Sequence, residues 1–209
     1  MSAGALHLEV LPSPARTVLA RLGPPVTKRG FYMAGGTALA LQLGHRRSVD
    51  FDWFREANIE DPVALARELD VEVRSTSENT LHAVAEGVRI SCFRYPYALL
   101  QPLVPAGDLG CSLAPIADIA AMKLAAISQR GSRRDYHDVV AIGRAGLDLA
   151  GMLEGFRSKF SIRDVGHVLA ALAWFDDADR DPEPVLAAKE SWDEVKATVR
   201  AWVKRYAAR

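Results

Sequence analysis

Near residue 115 the chain changes its pattern, and no other feature constrains its architecture as much. Before that point, short strand-like segments are punctuated by Gly and Pro; after it, apolar residues recur at helical spacing almost to the end. Strands first and helices second predict an α+β lobe over residues 1–114 and a helical lobe over 115–209. Residues 13–22 predict a helix that Gly23-Pro24-Pro25 should stop. A short strand is expected over 31–34, a turn at Gly35-Gly36, a helix over 37–43 and a strand over 49–54. Asp61 and Pro62 have the residue types of a helix cap and a first helical position. Residues 71–74, 80–85 and 88–94 predict strands, the last two joined by a hairpin-like turn at Glu86-Gly87. Helices are expected over 116–129, 133–145, 148–159, 163–176 and 191–207.

The sharpest chemical signal is Ser48-Val49-Asp50-Phe51-Asp52-Trp53. With a strand period of two, Asp50 and Asp52 share one face, and Val49, Phe51 and Trp53 face a core. Two adjacent carboxylates repel each other. Either they are unrelated acids on a solvated face, or a divalent cation resolves the repulsion; Mg²⁺ takes one or two carboxylates plus phosphate oxygens. Upstream, Met33-Ala34-Gly35-Gly36-Thr37 runs from a strand through two glycines into a helix. Glycines let backbone approach a ligand closely, and a helix N-terminus offers free N–H groups to a phosphate. The alternative is a tight turn with Thr37 as N-cap. His45, Arg46 and Arg47 precede the acidic strand, as phosphate contacts or as a solvated loop.

Lys123 is the one polar residue in the nine-residue stretch 119–127. It shares a helix stripe with Ile116, Ile119, Ala120 and Ile127, so it must either reach water along its stem or meet an anion. Ser132 and Asp135 have the spacing of a capping box, yet Asp135 also shares a face with Val139 and Ile142. Arg133 and Arg134 are phosphate or RNA contacts, or surface charges. His7, His82 and His167 are scattered without ligand spacing, and Trp192, Val195, Val199, Trp202 and Val203 form a packing stripe.

Composition then narrows the class. Lys plus Arg and Asp plus Glu are 26 each, and zero net charge argues against a protein that coats nucleic acid non-specifically. It leaves room for an enzyme that grips one nucleic-acid end through a local patch. The longest apolar run is interrupted by Lys123, short of the ~20 residues a membrane helix needs. The N-terminus lacks a basic region followed by an apolar one, so no secretory leader is expected. Cys92 and Cys111 lie in apolar strand-like stretches without CxxC spacing, which argues against zinc and for a reduced, cytoplasmic protein.

Residues 35–41 and 44–52 resemble the first motif of the AbiEii nucleotidyltransferase toxins. Residues 118–123 and 130–138 resemble that family's second block, a Lys followed by an Arg-Asp-x-x-Asp helix. The resemblance implies a DNA-polymerase-β-like nucleotidyltransferase lobe with a small mixed sheet, then an α-helical lobe. It also implies a toxin of a type IV toxin–antitoxin or phage-defence system. The activity implied is Mg²⁺- (or Mn²⁺-) dependent transfer of NMP from an NTP to an acceptor hydroxyl, RNA such as the tRNA 3′ end, with a cognate antitoxin protein as partner and no membrane. By position, Asp50 and Asp52 would be metal ligands and catalytic, with Lys123 and Asp135 catalytic beside them. Gly35, Gly36, Thr37, Arg46, Ser48 and Lys123 would bind the nucleotide. Polymerase-β-like enzymes carry a third carboxylate on a neighbouring strand, but residues 88–94 contain no acid, and Ser91 sits where it would be. Either Asp135 substitutes, or one metal binds weakly, or the protein is a nucleotide-binding or protein-interaction module without efficient turnover. Transfer to a protein hydroxyl or a small molecule is the further alternative.

Overall fold

The structure is a computed structural model and describes residues 5–208. Residues 1–4, the start of the stretch that carries no leader pattern, lie outside them, as does residue 209. The fold is mixed: a seven-stranded sheet with helices, most of them after the last strand. Helix α1 (Ser13–Lys28) leads to β1 (Tyr32–Ala34), α2 (Gly35–Leu43), β2 (Phe51–Arg55) and α3 (Pro62–Glu68). Strands β3 (Glu72–Ser77), β4 (Thr80–Ala85), β5 (Val88–Arg94), β6 (Val104–Ala106) and β7 (Cys111–Leu113) complete the sheet, in the order β3-β4-β5-β2-β1-β7-β6. Then come α4 (Ile116–Arg130), α5 (Arg133–Arg144), α6 (Leu149–Phe160), α7 (Gly166–Leu172) and α8 (Trp192–Ala207). No described helix is long and apolar enough to cross a membrane.

Several local expectations hold. Strands β4 and β5 span the predicted residues, and Glu86 and Gly87 both take positive φ in the tight turn between them. Asp61 caps α3 by accepting from the Val63 and Ala64 N–H groups, with Pro62 at the first position. Trp192, Val195 and Val199 are buried on α8, with Trp202 and Val203 packed against the core. Cys92 and Cys111 are buried free thiols in strands.

Others are corrected. Helix α1 does not stop at Gly23 but continues through Pro24 and Pro25 to Lys28. Its buried face, with Leu19, Leu22 and Val26, extends past the prolines, so packing outweighs the lost backbone donors. Gly23 lies so close to the Leu109 carbonyl oxygen that a Cβ would stand 2.2 Å from it. Helix α2 begins at Gly35, so Thr37 sits inside its first turn and the N-cap position belongs to Ala34. Strand β2 begins at Phe51, leaving Val49 44% exposed instead of in the core. The cause is long-range: residues 45–47 are drawn into backbone pairing with 185–187, through Arg47 N–H to the Val185 carbonyl (2.8 Å) and Ala187 N–H to the His45 carbonyl (3.0 Å). Helix α7 is shorter than expected, and the three-residue strands β6 and β7 are too brief for a period-two signal.

Sheet and helices meet at α2, which packs on β1 and β2 and also on α4 and α5. Its N-terminus therefore faces the start of β2 at Asp52 on one side and Arg46 with Asp138 of α5 on the other.

Candidate active site

Registration across the sheet fixes the first half of the site. Ala34 is paired with Asp52, Asp52 with Ser91, and Ser91 with His82, so one row crosses four strands on one face. The serine beside Asp52 occupies the neighbouring-strand position, and it lies 3.1 Å from His82 Nδ1. Burial pushes the Asp52 carboxyl up from its ordinary pKa; Asp50 pushes it the same way, and Lys123 opposes. Gly35 at the start of α2 has φ +70°, and a Cβ there would stand 2.9 Å from Asp52 Oδ2. Only glycine lets the helix start this close to the carboxylate.

Asp50 lies just ahead of β2. The Thr37 hydroxyl donates to its carbonyl (2.5 Å) and lies 2.7 Å from the Ser48 hydroxyl, which pins the loop to α2. The Asp50 carboxylate is held in a fork by Arg89, with Nε at 2.9 Å and Nη2 at 2.6 Å, and Arg134 stands 4.0 Å away.

The second half comes from α4 and α5. Lys123 does meet anions: its Nζ is 2.7 Å from Asp135 and 2.7 Å from Asp138. Burial pulls the ammonium's pKa down, but the two carboxylates outweigh it and the net direction is up. Asp138, fully buried, also accepts from Arg46 through Nε (2.6 Å) and Nη2 (2.9 Å) and stands 2.7 Å from His45 Nε2. Burial would raise its carboxyl, but Lys123 and Arg46 hold it well below the usual range. Arg46 is thus turned inward, only 4% exposed, with its guanidinium so near Gly36 that a Cβ would stand 2.2 Å from Nη2. The capping-box expectation fails: Ser132 occupies the N-cap position but makes no side-chain bond to the backbone. Its hydroxyl donates to Asp135 Oδ2 at 2.6 Å, leaving that carboxylate at the cleft.

Gly36, Thr37, Arg46, Ser48, Asp50, Asp52, Lys123 and Asp135 all line one cleft of about 120 Å³, with Gly35 behind Asp52. Arg130, Ser132 and Arg134 complete its wall. Arg133 points elsewhere, bonding Glu183 and the carbonyls of Ala178 and Asp179. Among the described residues no cluster of three His, Cys, Asp or Glu side chains forms a ready metal cage. The donor set instead suits an ion that takes two carboxylates from the protein and the remainder from phosphates.

Sequence reasoning gave no role to two residues of the site, although Asp138 closes the Arg-Asp-x-x-Asp helix of the resemblance. Asp138 follows Asp135 by three positions, which places both on one helix face, and that spacing could have found it. Arg89 precedes Ser91 by two on β5, and strand alternation puts it on the carboxylate face.

The model of the nucleotidyl transferase AbiEii toxin of type IV toxin–antitoxin systems matches residues 93–203. An uncharacterised protein of Aquifex aeolicus (strain VF5) is 36% identical over 186 residues, covering 84% of this chain and 87% of that protein. Among solved structures, MenT4, a nucleotidyltransferase toxin of Mycobacterium tuberculosis H37Rv, superposes with a TM-score of 0.54 at 16% identity, covering 91% of this chain and 82% of that one. At that identity the likeness is one of fold.

Proposed function

This chain belongs to the AbiEii family of nucleotidyl transferase toxins of type IV toxin–antitoxin systems, and from that premise we propose that it moves NMP from an NTP to a hydroxyl of RNA, such as the tRNA 3′ end. One observation supports this reading above the others: Asp50, Asp52, Lys123 and Asp135, drawn from both halves of the chain, share a single cleft at the N-terminus of α2. In the proposed reaction the first N–H groups of α2, free of side-chain caps, bind phosphate oxygens beside Gly35 and Gly36. Ser48 lies within reach of the same phosphates, and Thr37 holds the loop that presents Asp50. Lys123 supplies a fixed positive charge from the cleft floor, while Arg46 keeps Asp138 and hence Lys123 in place. The acceptor oxygen bonds to the α-phosphorus, the bond to the β-bridging oxygen breaks, pyrophosphate leaves, and Asp135 takes the acceptor's proton. Asp50 and Asp52 are the residues that would hold Mg²⁺ or Mn²⁺, which when bound neutralises phosphate charge and activates the attacking hydroxyl. Catalysis on this reading is positioning plus electrostatics. The working place is the cytoplasm, with a cognate antitoxin protein as partner.

A second reading has its own support. The Arg89 fork on Asp50 and the serine in the third-acid position both favour a protein that binds nucleotide and turns it over weakly. Incubation with Mg²⁺, each α-labelled nucleotide, and total RNA or lysate separates the readings. Label on RNA is expected. Label on protein or on a small molecule would replace RNA as acceptor, and nucleotide binding without any label would favour the weak-turnover module.

A further inference from the structure

An acceptor that delivers its hydroxyl to Asp50 and Asp52 must keep the rest of its body outside a cleft of about 120 Å³. A second pocket, of about 340 Å³, adjoins that cleft and shares Arg130 with it. The turn from α4 to α5 divides the two. Ser132 and Asp135 face the catalytic side, while Gln129, Gly131 and Tyr136 face the other. Its size is that of small-ligand sites, about 300–1,000 Å³.

We propose that this second pocket receives a base of the acceptor's single-stranded end, stacked on Trp174 with its phosphate on Arg130, a proposal that rests on the reading of RNA as acceptor. Trp174 is the large apolar side chain here that burial does not explain: it is 60% exposed, and its indole pairs with no other ring among the described residues. Its backbone is anchored nonetheless: the Tyr136 hydroxyl shares its one proton between the Trp174 carbonyl, 2.5 Å away, and that of Ala171, 2.9 Å away. A solvent-facing indole on an anchored backbone is a stacking platform for any base. Arg130 is exposed, and its side chain has no hydrogen bond or ion pair among the described residues. It therefore remains available to a phosphate, in contrast to Arg46, Arg89 and Arg133, each already bonded to carboxylate.

Asp177 also lines the pocket. A carboxylate repels phosphate, so it argues against a backbone running along this wall. It accepts from an exocyclic amine, so it favours a base edge there. Cytosine, adenine and guanine offer that amine, whereas uracil's one donor on that edge, N3–H, lies between two carbonyl oxygens that a carboxylate repels. The pocket therefore selects amine-bearing bases for the nucleotide that Trp174 stacks.

The test measures binding directly. Fluorescence anisotropy of short end-labelled single-stranded oligoribonucleotides, oligo-C beside oligo-U, is recorded with wild type, Trp174→Ala, Trp174→Phe, Arg130→Ala and Asp177→Asn. Wild type should bind oligo-C more tightly than oligo-U. Trp174→Ala should weaken binding about tenfold or more, Trp174→Phe should keep most of it, and Asp177→Asn should erase the preference. Melting curves and NTP affinity should stay at wild-type values in the Trp174 variants. Oligo-C binding that is unchanged in Trp174→Ala, or absent in wild type, overturns the proposal. Label transfer onto RNA, followed with the same preparations, reports separately on the acceptor: RNA held through Trp174 but never labelled supports the pocket and removes RNA as the acceptor.

Discussion

Asp50 and Asp52 are two positions apart and have opposite settings. Asp50 is compensated by the Arg89 fork, whereas Asp52 is desolvated and raised above its ordinary pKa of 3.8, with the largest relief coming from Lys123. A raised folded pKa means that Asp52 stabilises the free protein most below pH 3.8 and costs stability as pH rises through its folded value. Asp52→Asn should therefore melt no lower than wild type at neutral pH while nucleotide transfer disappears. Thermal melts beside a labelled-nucleotide assay check both, and transfer at the wild-type rate would remove Asp52 from the reaction. Arg89 poses the converse question, because its guanidinium occupies the carboxylate that a metal would use. Arg89→Ala should tighten Mn²⁺ binding to the nucleotide-free protein, read by the electron paramagnetic resonance of free Mn²⁺. Arg89 is 69% exposed at its side chain, so the change should move the melting temperature little. Looser or unchanged Mn²⁺ binding would show that the fork does not compete for the site.

Among the elements, α2 does the most with the fewest residues. Its two leading glycines are pressed from opposite sides, Gly35 by Asp52 and Gly36 by Arg46. Gly35→Ala would place a Cβ at φ +70° and 2.9 Å from a carboxylate oxygen. The left-handed backbone alone costs about 1–2 kcal/mol, and Asp52 would have to move as well. The expected result is a lower melting temperature and a higher KM for NTP, checked by calorimetry and by transfer kinetics; unchanged KM would mean that the carboxylate tolerates the shift. The two glycines were legible in sequence because a strand–Gly-Gly–helix pattern has a mechanical meaning. The β4–β5 hairpin was legible for the same reason. What escaped was set by distant partners. The continuation of α1 past its prolines depends on the core that buries Leu22 and Val26, and the late start of β2 goes with the pairing of 45–47 to 185–187. For Asp138 the spacing from Asp135 marks the helix face, but its role as a buried counter-ion depends on cations that only the fold places around it.

Across the whole molecule, those cations join the two halves of the chain. Arg46 and His45 come from the loop before β2, Lys123 from α4 and Asp138 from α5, and all meet within hydrogen-bonding distance. The pairing of 45–47 with 185–187 ties the same loop to the segment ahead of α8. The candidate cleft is therefore mounted on a buried ionic cluster, and the cluster's protonation should govern the acid stability of the fold. Asp138 has a folded pKa well below its ordinary 3.8, because Lys123 and Arg46 favour its ionised form more than burial disfavours it. Its stabilisation is present in full above pH 3.8 and is lost as pH falls toward the folded value, since the unfolded chain takes up the proton first. Asp138→Asn removes that charge at every pH and leaves Lys123 and Arg46 short of a buried partner, at a cost of about 3–5 kcal/mol. Urea unfolding followed from pH 7 down to pH 3 should thus give wild type a steep acid limb, and Asp138→Asn a lower plateau with a shallower one. Parallel curves for the two proteins would show that the acid limb arises from other carboxylates and that the cluster does not set it.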